Sequence, residues 1–84
     1  MTITVYTLPH CVQCGATFRW LNKLGIPHTR VDLSQDPETR DMVSTLGFTA
    51  APVVIVTDED GQVVDKWAGF QPGKINAYTP QAAA

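Results

Sequence analysis

The sequence predicts one small α/β domain, with elements in the order β-α-β-α-β-β-α and a four-stranded mixed sheet covered by helices on both faces. Three observations carry this. Two stretches repeat a helix face at i, i+3, i+4, i+7 and end on a glycine: Thr17, Trp20, Leu21, Leu24 before Gly25, and Thr39, Met42, Val43, Leu46 before Gly47. Short β-branched runs precede and follow each of them. A chain of 84 residues holds one domain only.

Ile3-Thr4-Val5-Tyr6-Thr7 alternates as a strand, and Pro9 ends it. The first helix starts at or just after Cys11 and runs to Leu24, with Gly25 at C′ and Pro27 behind it. Thr29 to Leu33 reads as the second strand. Asp36-Pro37 is an N-cap followed by proline at N1, opening the second helix. Pro52-Val53-Val54-Ile55-Val56 is a continuous apolar run, as in a strand buried on both faces. Asp58-Glu59-Asp60-Gly61 is a turn, and Gln62 to Trp67 returns as the fourth strand. Pro72 opens a short last helix that stops before Pro80. The domain is therefore expected over residues 1–79, with a frayed tail over 80–84. Strands joined through a helix should be parallel, and the hairpin strands antiparallel.

Six basic residues stand against eight acidic ones, a net charge of −2. No basic excess marks a nucleic-acid partner. No stretch nears the roughly 20 apolar residues of a membrane span. The N-terminal Met-Thr-Ile-Thr-Val-Tyr-Thr lacks a charged start and an apolar run of signal-peptide length, so the expected compartment is the cytoplasm. No cofactor is called for, and a monomer is expected.

The chemistry lies with Cys11 and Cys14, separated by Val12 and Gln13. As a structural staple they would close a loop of about four residues, worth roughly 2 kcal/mol, against about 4 for a loop spanning most of a chain this size. A closed zinc site wants four ligands, and only His10 stands nearby. Two thiolates would suit Cu(I). Small copper-transfer domains, however, follow the order β-α-β-β-α-β, whereas here a capped helix separates the second and third strands. Dithiol–disulfide exchange fits a Cys-x-x-Cys beside a β-α-β pattern.

The chain resembles the NrdH-redoxins, the glutaredoxin-like electron donors of class Ib ribonucleotide reductase within the thioredoxin fold. The residues that carry this are Ile3 to Thr7, Pro9, Cys11-Val12-Gln13-Cys14, Ala16-Thr17, Leu21, Lys23, Gly25-Ile26, Val31-Asp32, Asp36, Arg40-Asp41, Leu46-Gly47, Ala51-Pro52-Val53-Val54 and Trp67-Ala68-Gly69-Phe70-Gln71-Pro72. The likeness runs from residue 2 to about residue 75. Leu8 stands where the family usually has Lys, and Ala68, Gln71 and Gly73 replace a serine and two charged residues of the late motif. The Asp58 to Lys66 hairpin looks longer than usual.

Cys11, at the first helical turn, can face unpaired amides and the positive helix end, which favours the thiolate. It is the expected nucleophile, and Cys14, one turn further in, the resolver. No acidic residue in the first strand can act as a buried base for Cys14. His10 reads as an exposed loop residue. The resemblance implies a cis Ala51-Pro52 bond, with Ala51 offering its backbone to a substrate strand. It also implies a partner surface of Val12, Gln13, Ala51, Pro52, Trp67, Ala68, Gly69 and Phe70. Trp67 and Phe70 have two readings, as core lids or as partner anchors, whereas Trp20 reads as core packing.

The implied partners are thioredoxin reductase and the large subunit of class Ib ribonucleotide reductase. A general glutaredoxin using glutathione is the first alternative. Against it, Leu8, Ala50-Ala51-Pro52 and Trp67 to Phe70 offer a dianionic tripeptide few donors. A metal or iron-sulfur carrier is an alternative of another class.

Overall fold

In the computed structural model, which describes residues 1–48 and 50–78, the elements are β1 (Thr2–Thr7), α1 (Val12–Lys23), β2 (Thr29–Asp32), α2 (Pro37–Thr45), β3 (Val53–Thr57), β4 (Val63–Ala68) and α3 (Pro72–Asn76). The strands lie in the order β2-β1-β3-β4. β1 pairs parallel with β2 and antiparallel with β3, and β3 pairs antiparallel with β4. This is the thioredoxin-like architecture. The expected tail over 80–84 and the domain end at residue 79 lie outside the described residues.

The alternation of β3 divides the apolar side chains between two layers. Val54 and Val56 join Ile3, Val5, Leu21, Ile26, Trp67 and Ile75 on the side of α1 and α3. Val53 and Ile55 join Leu33 and Val43 on the side of α2. The four residues Val53 to Val56 are all buried, as the continuous apolar run requires.

Both helix ends follow the glycine signal. Gly25 (φ 68°) follows the C-cap Leu24, its amide donates to Asn22 O, and Ile26 N donates to Leu21 O. This Schellman pattern satisfies two terminal carbonyls and sets Ile26 against Leu21 in the core. Gly47 and Phe48 close α2 in the same way onto Ser44 and Val43.

Some boundaries differ from expectation. β2 stops at Asp32, and Leu33–Gln35 forms a 3₁₀ turn. Asp32 Oδ1 accepts from Ser34 N at 2.9 Å and from Ser34 Oγ at 2.6 Å. That local cap replaces the next rung of the ladder. Pro52 precedes β3 instead of opening it, and β4 runs one residue past Trp67. On α2, Val43 is buried and Met42 is exposed, so this helix docks by a narrower stripe than its sequence face suggests.

Candidate active site

Cys11 occupies the N-cap of α1 with extended backbone (φ −98°, ψ 108°). Its Sγ accepts a hydrogen bond from Cys14 N at 3.1 Å. No acidic residue stands in the first helical turn. A negative charge on this sulfur would thus meet an amide donor and the positive end of the helix, the setting that lowers a thiol pKa. Cys11 and Cys14 are joined by a disulfide, with Cα atoms 5.2 Å apart. Cys11 is half-buried, whereas Cys14 is 3% exposed and packs into the domain. Solvent and a large partner therefore reach Cys11 first.

The three segments singled out as a partner surface meet here. The Ala51-Pro52 bond is cis. Gly69 N donates to Pro52 O at 2.8 Å. Phe70 N donates to Gln13 Oε1 at 3.0 Å. Gln13 is thus a tether between the Cys-x-x-Cys turn and the loop after β4. Val12 projects beside the disulfide, 83% exposed. Ala51 is half-buried and Pro52 buried at the turn.

Trp67 does not lie on this surface. It is 5% exposed, its ring stacks on Tyr78 at 6.1 Å, and Lys74 Nζ lies 5.3 Å from the ring centroid. The core reading of Trp67 prevails, because its position in β4 points it under α3. Ala68 is half-buried against the α2-side layer. The ring of Phe70 packs edge-on to Trp20 at 6.3 Å, leaving its backbone to meet Gln13. Trp20 does more than pack: its Nε1 donates to Asn76 Oδ1 at 2.9 Å and ties α1 to α3.

β4 and α3 are also joined by charge. Asp65 accepts from Lys74 Nζ at 2.9 Å and from Tyr78 Oη at 2.8 Å. Lys74 above all, then Tyr78, hold the Asp65 carboxyl below the usual carboxylate range, while burial opposes them. Burial, and then this same carboxylate, push the Tyr78 phenol up.

Two cavities flank the Leu8–Cys11 loop, and Leu8 lines both. One, of about 260 Å³, lies between α2 and the Ala51 turn, lined by Leu33, Arg40, Val43, Phe48, Ala51 and Val53 among others. The other is an open cleft of about 730 Å³ that holds Cys11 and Cys14, with His10, Phe18, Arg19 and Arg30 around them. These two arginines are donors that the reading of Leu8, Ala50-Ala51-Pro52 and Trp67 to Phe70 did not take into account. Arg19 could have been suspected from its place two turns along the helix from Cys11. Arg30 could not, because only the parallel register Val5↔Arg30 brings it there. His10 is exposed, as expected, but takes a left-handed conformation (φ 60°), which bends the chain into the N-cap. Among the described residues no group of three or more His, Cys, Asp or Glu side chains is placed to hold a metal.

Comparison with known proteins adds to this geometry. The glutaredoxin family profile matches residues 3–61. The glutaredoxin-like protein NrdH of Salmonella typhimurium is 38% identical, over 99% of this chain and 98% of that protein. The chain belongs to the glutaredoxin family, in its NrdH branch. The NrdH protein of Escherichia coli K12 is 36% identical over 95% of this chain and 91% of its own length. The solved structure of the E. coli NrdH-redoxin, described as having a thioredoxin-like activity profile, superposes with a TM-score of 0.85 over 95% of this chain and 97% of that one. This NrdH-type glutaredoxin is a thiol–disulfide oxidoreductase with Cys11 and Cys14 as its redox pair. No helix among its described residues is long and apolar enough to cross a membrane.

Proposed function

We propose that this protein delivers electrons to a class Ib ribonucleotide reductase in the cytoplasm and is itself re-reduced by thioredoxin reductase with NADPH. The observation that carries this reading is the joined surface around Cys11. The Cys-Val-Gln-Cys turn, the Ala-Pro turn and the Gly-Phe loop are tied together by Gly69 N to Pro52 O and Phe70 N to Gln13 Oε1. The Cys-Val-Gln-Cys turn and the Trp-x-Gly-Phe-x-Pro stretch are the segments on which the likeness to NrdH-redoxins rests most specifically. The thioredoxin-like activity profile of the E. coli relative supports thioredoxin reductase as the electron source.

The cycle follows from the two sulfur environments. In the dithiol form, the Cys11 thiolate attacks one sulfur of a client disulfide, and the other client sulfur leaves as a thiolate. Cys14 then gives up its proton and attacks Cys11 Sγ. This frees the second client thiol and closes the Cys11–Cys14 bond. Two electrons pass to the client, and the displaced thiolates take up protons. The disulfide form described above is the product of this half-reaction. A hydride from NADPH, passed through the reductase, restores the dithiol.

The test compares NADPH oxidation in two coupled systems with one disulfide substrate. The expected result is fast turnover with thioredoxin reductase and slow turnover with millimolar glutathione plus its reductase. A faster rate with glutathione would assign the protein to ordinary glutaredoxin work and remove the argument for this client.

A further inference from the structure

The cleft holding the redox pair is cationic in a protein whose net charge is −2. Arg19 and Arg30 line it, and no Asp or Glu does. The acidic residues gather elsewhere, in the Asp58-Glu59-Asp60 turn and around α2.

Neither guanidinium is neutralised by an ion pair among the described residues, where Lys74 with Asp65 is the pair formed. Arg30 Cζ lies 4.7 Å from the centroid of the Phe18 ring, which fixes the side chain without discharging it. Asp32, two residues along β2, feels Arg30 only as the weakest of the influences on its carboxyl, which is engaged by Ser34.

Arg19 leans back along α1. A Cβ added at Gly15, one turn earlier, would sit 3.4 Å from Arg19 Nη1. The guanidinium therefore lies back toward the start of the helix that Cys11 caps. Leu8, at the shared wall of the two cavities, supplies no charge of its own.

We propose that Arg19 and Arg30 select client disulfides whose cysteines are flanked by carboxylates, as in an acidic protein segment. This rests on the dithiol reading above and names its substrate class. A protein segment fits better than a small anionic thiol because Arg19 and Arg30 line one cavity and the Ala51 turn, with Arg40, lines the other, Leu8 being shared by both. A ligand that uses both must cross the mouth of the site. An extended chain does so at about 3.3 Å per residue. The exposed Val12 gives that chain an apolar contact on its way.

The test uses the fully reduced protein and three disulfide-closed peptides, identical except for Asp, Asn or Lys beside each cysteine. Single-turnover reduction rates are read by chromatography, with glutathione disulfide as a further arm. The Asp peptide should react about tenfold faster than the Asn peptide, and the Lys peptide more slowly than either. A gain of up to about fivefold for each partly exposed charge contact sets this scale. The Asp-to-Asn ratio should fall as salt rises from 20 mM to about 0.5 M, because the screening length drops below about 10 Å. In Arg19→Gln/Arg30→Gln the ratio should collapse toward one, and Arg19→Lys/Arg30→Lys should restore most of it.

A ratio near one in the native protein, or a ratio that survives in the double Gln variant, would overturn the proposal. So would a gain seen with glutathione disulfide and not with the Asp peptide. If the native protein reduces none of the peptides, the dithiol reading itself fails, a result distinct from a lost charge preference.

Discussion

Gly69→Ala tests the loop that joins the redox motif to the end of β4. Gly69 has φ 81°, in the left-handed region, where a residue with a Cβ costs about 1–2 kcal/mol. The new Cβ would lie 3.1 Å from Gln13 Oε1, so the Gln13 side chain must give way. That displaces the acceptor of Phe70 N, a solvent-accessible hydrogen bond worth about 0.5–1.5 kcal/mol. The expected destabilisation is therefore about 1.5–3.5 kcal/mol. In a domain of this size each kcal/mol lowers Tm by about 4–8 °C, so the fall should be on the order of 10 °C or more. Urea titration of the oxidised protein measures the first quantity and calorimetry the second. Gln13→Ala alone removes the same hydrogen bond. The double variant should then lose less than the sum of the two, by about 0.5–1.5 kcal/mol, because the clash and the bond are shared. Client reduction should slow as well, since Gln13 follows Cys11 in the motif by two residues. A loss below 0.5 kcal/mol, or strict additivity, would refute the account of this loop.

The division of labour between the sulfurs predicts that Cys14→Ser accumulates a mixed disulfide with a client, seen on a non-reducing gel, whereas Cys11→Ser forms none. Alkylation of the reduced protein near neutral pH should label Cys11 first, and faster labelling of Cys14 would reverse the assignment. Asp65→Asn should destabilise by about 1 kcal/mol at neutral pH, a modest figure because Lys74 is 41% exposed and water screens the pair. The Asp65 carboxyl is held low in the folded state, so its stabilisation is present above the unfolded value of about 3.9 and is lost as pH falls through the folded one. The gap between native and Asp65→Asn melts should thus close below about pH 4. A gap that does not narrow as pH falls below about 4 would contradict the role of charge.

The sequence by itself determined the elements and the chemistry. Local rules were sufficient there: Asp36 and Pro37 cap α2 through backbone geometry, Gly25 and Gly47 end helices because they accept positive φ, and Cys11 at a helix start faces free amides whatever the rest of the chain does. The likeness of Cys11 to Cys14, Ala51-Pro52 and Trp67 to Phe70 to known redoxins named the segments that form the site. Only the tertiary structure decided how those segments bear on one another. Trp67 went inward because β4 presents it to α3 and Tyr78, a matter of strand register that no local signal encodes. Gln13 became a tether because Gly69 leaves room for its amide. Arg30 reached the redox cleft because β2 pairs parallel with β1, bringing residue 30 beside residue 5. Helix caps and turns are set by neighbours in sequence, whereas the charge and shape around a thiol are set by whatever side chains the sheet order carries to it.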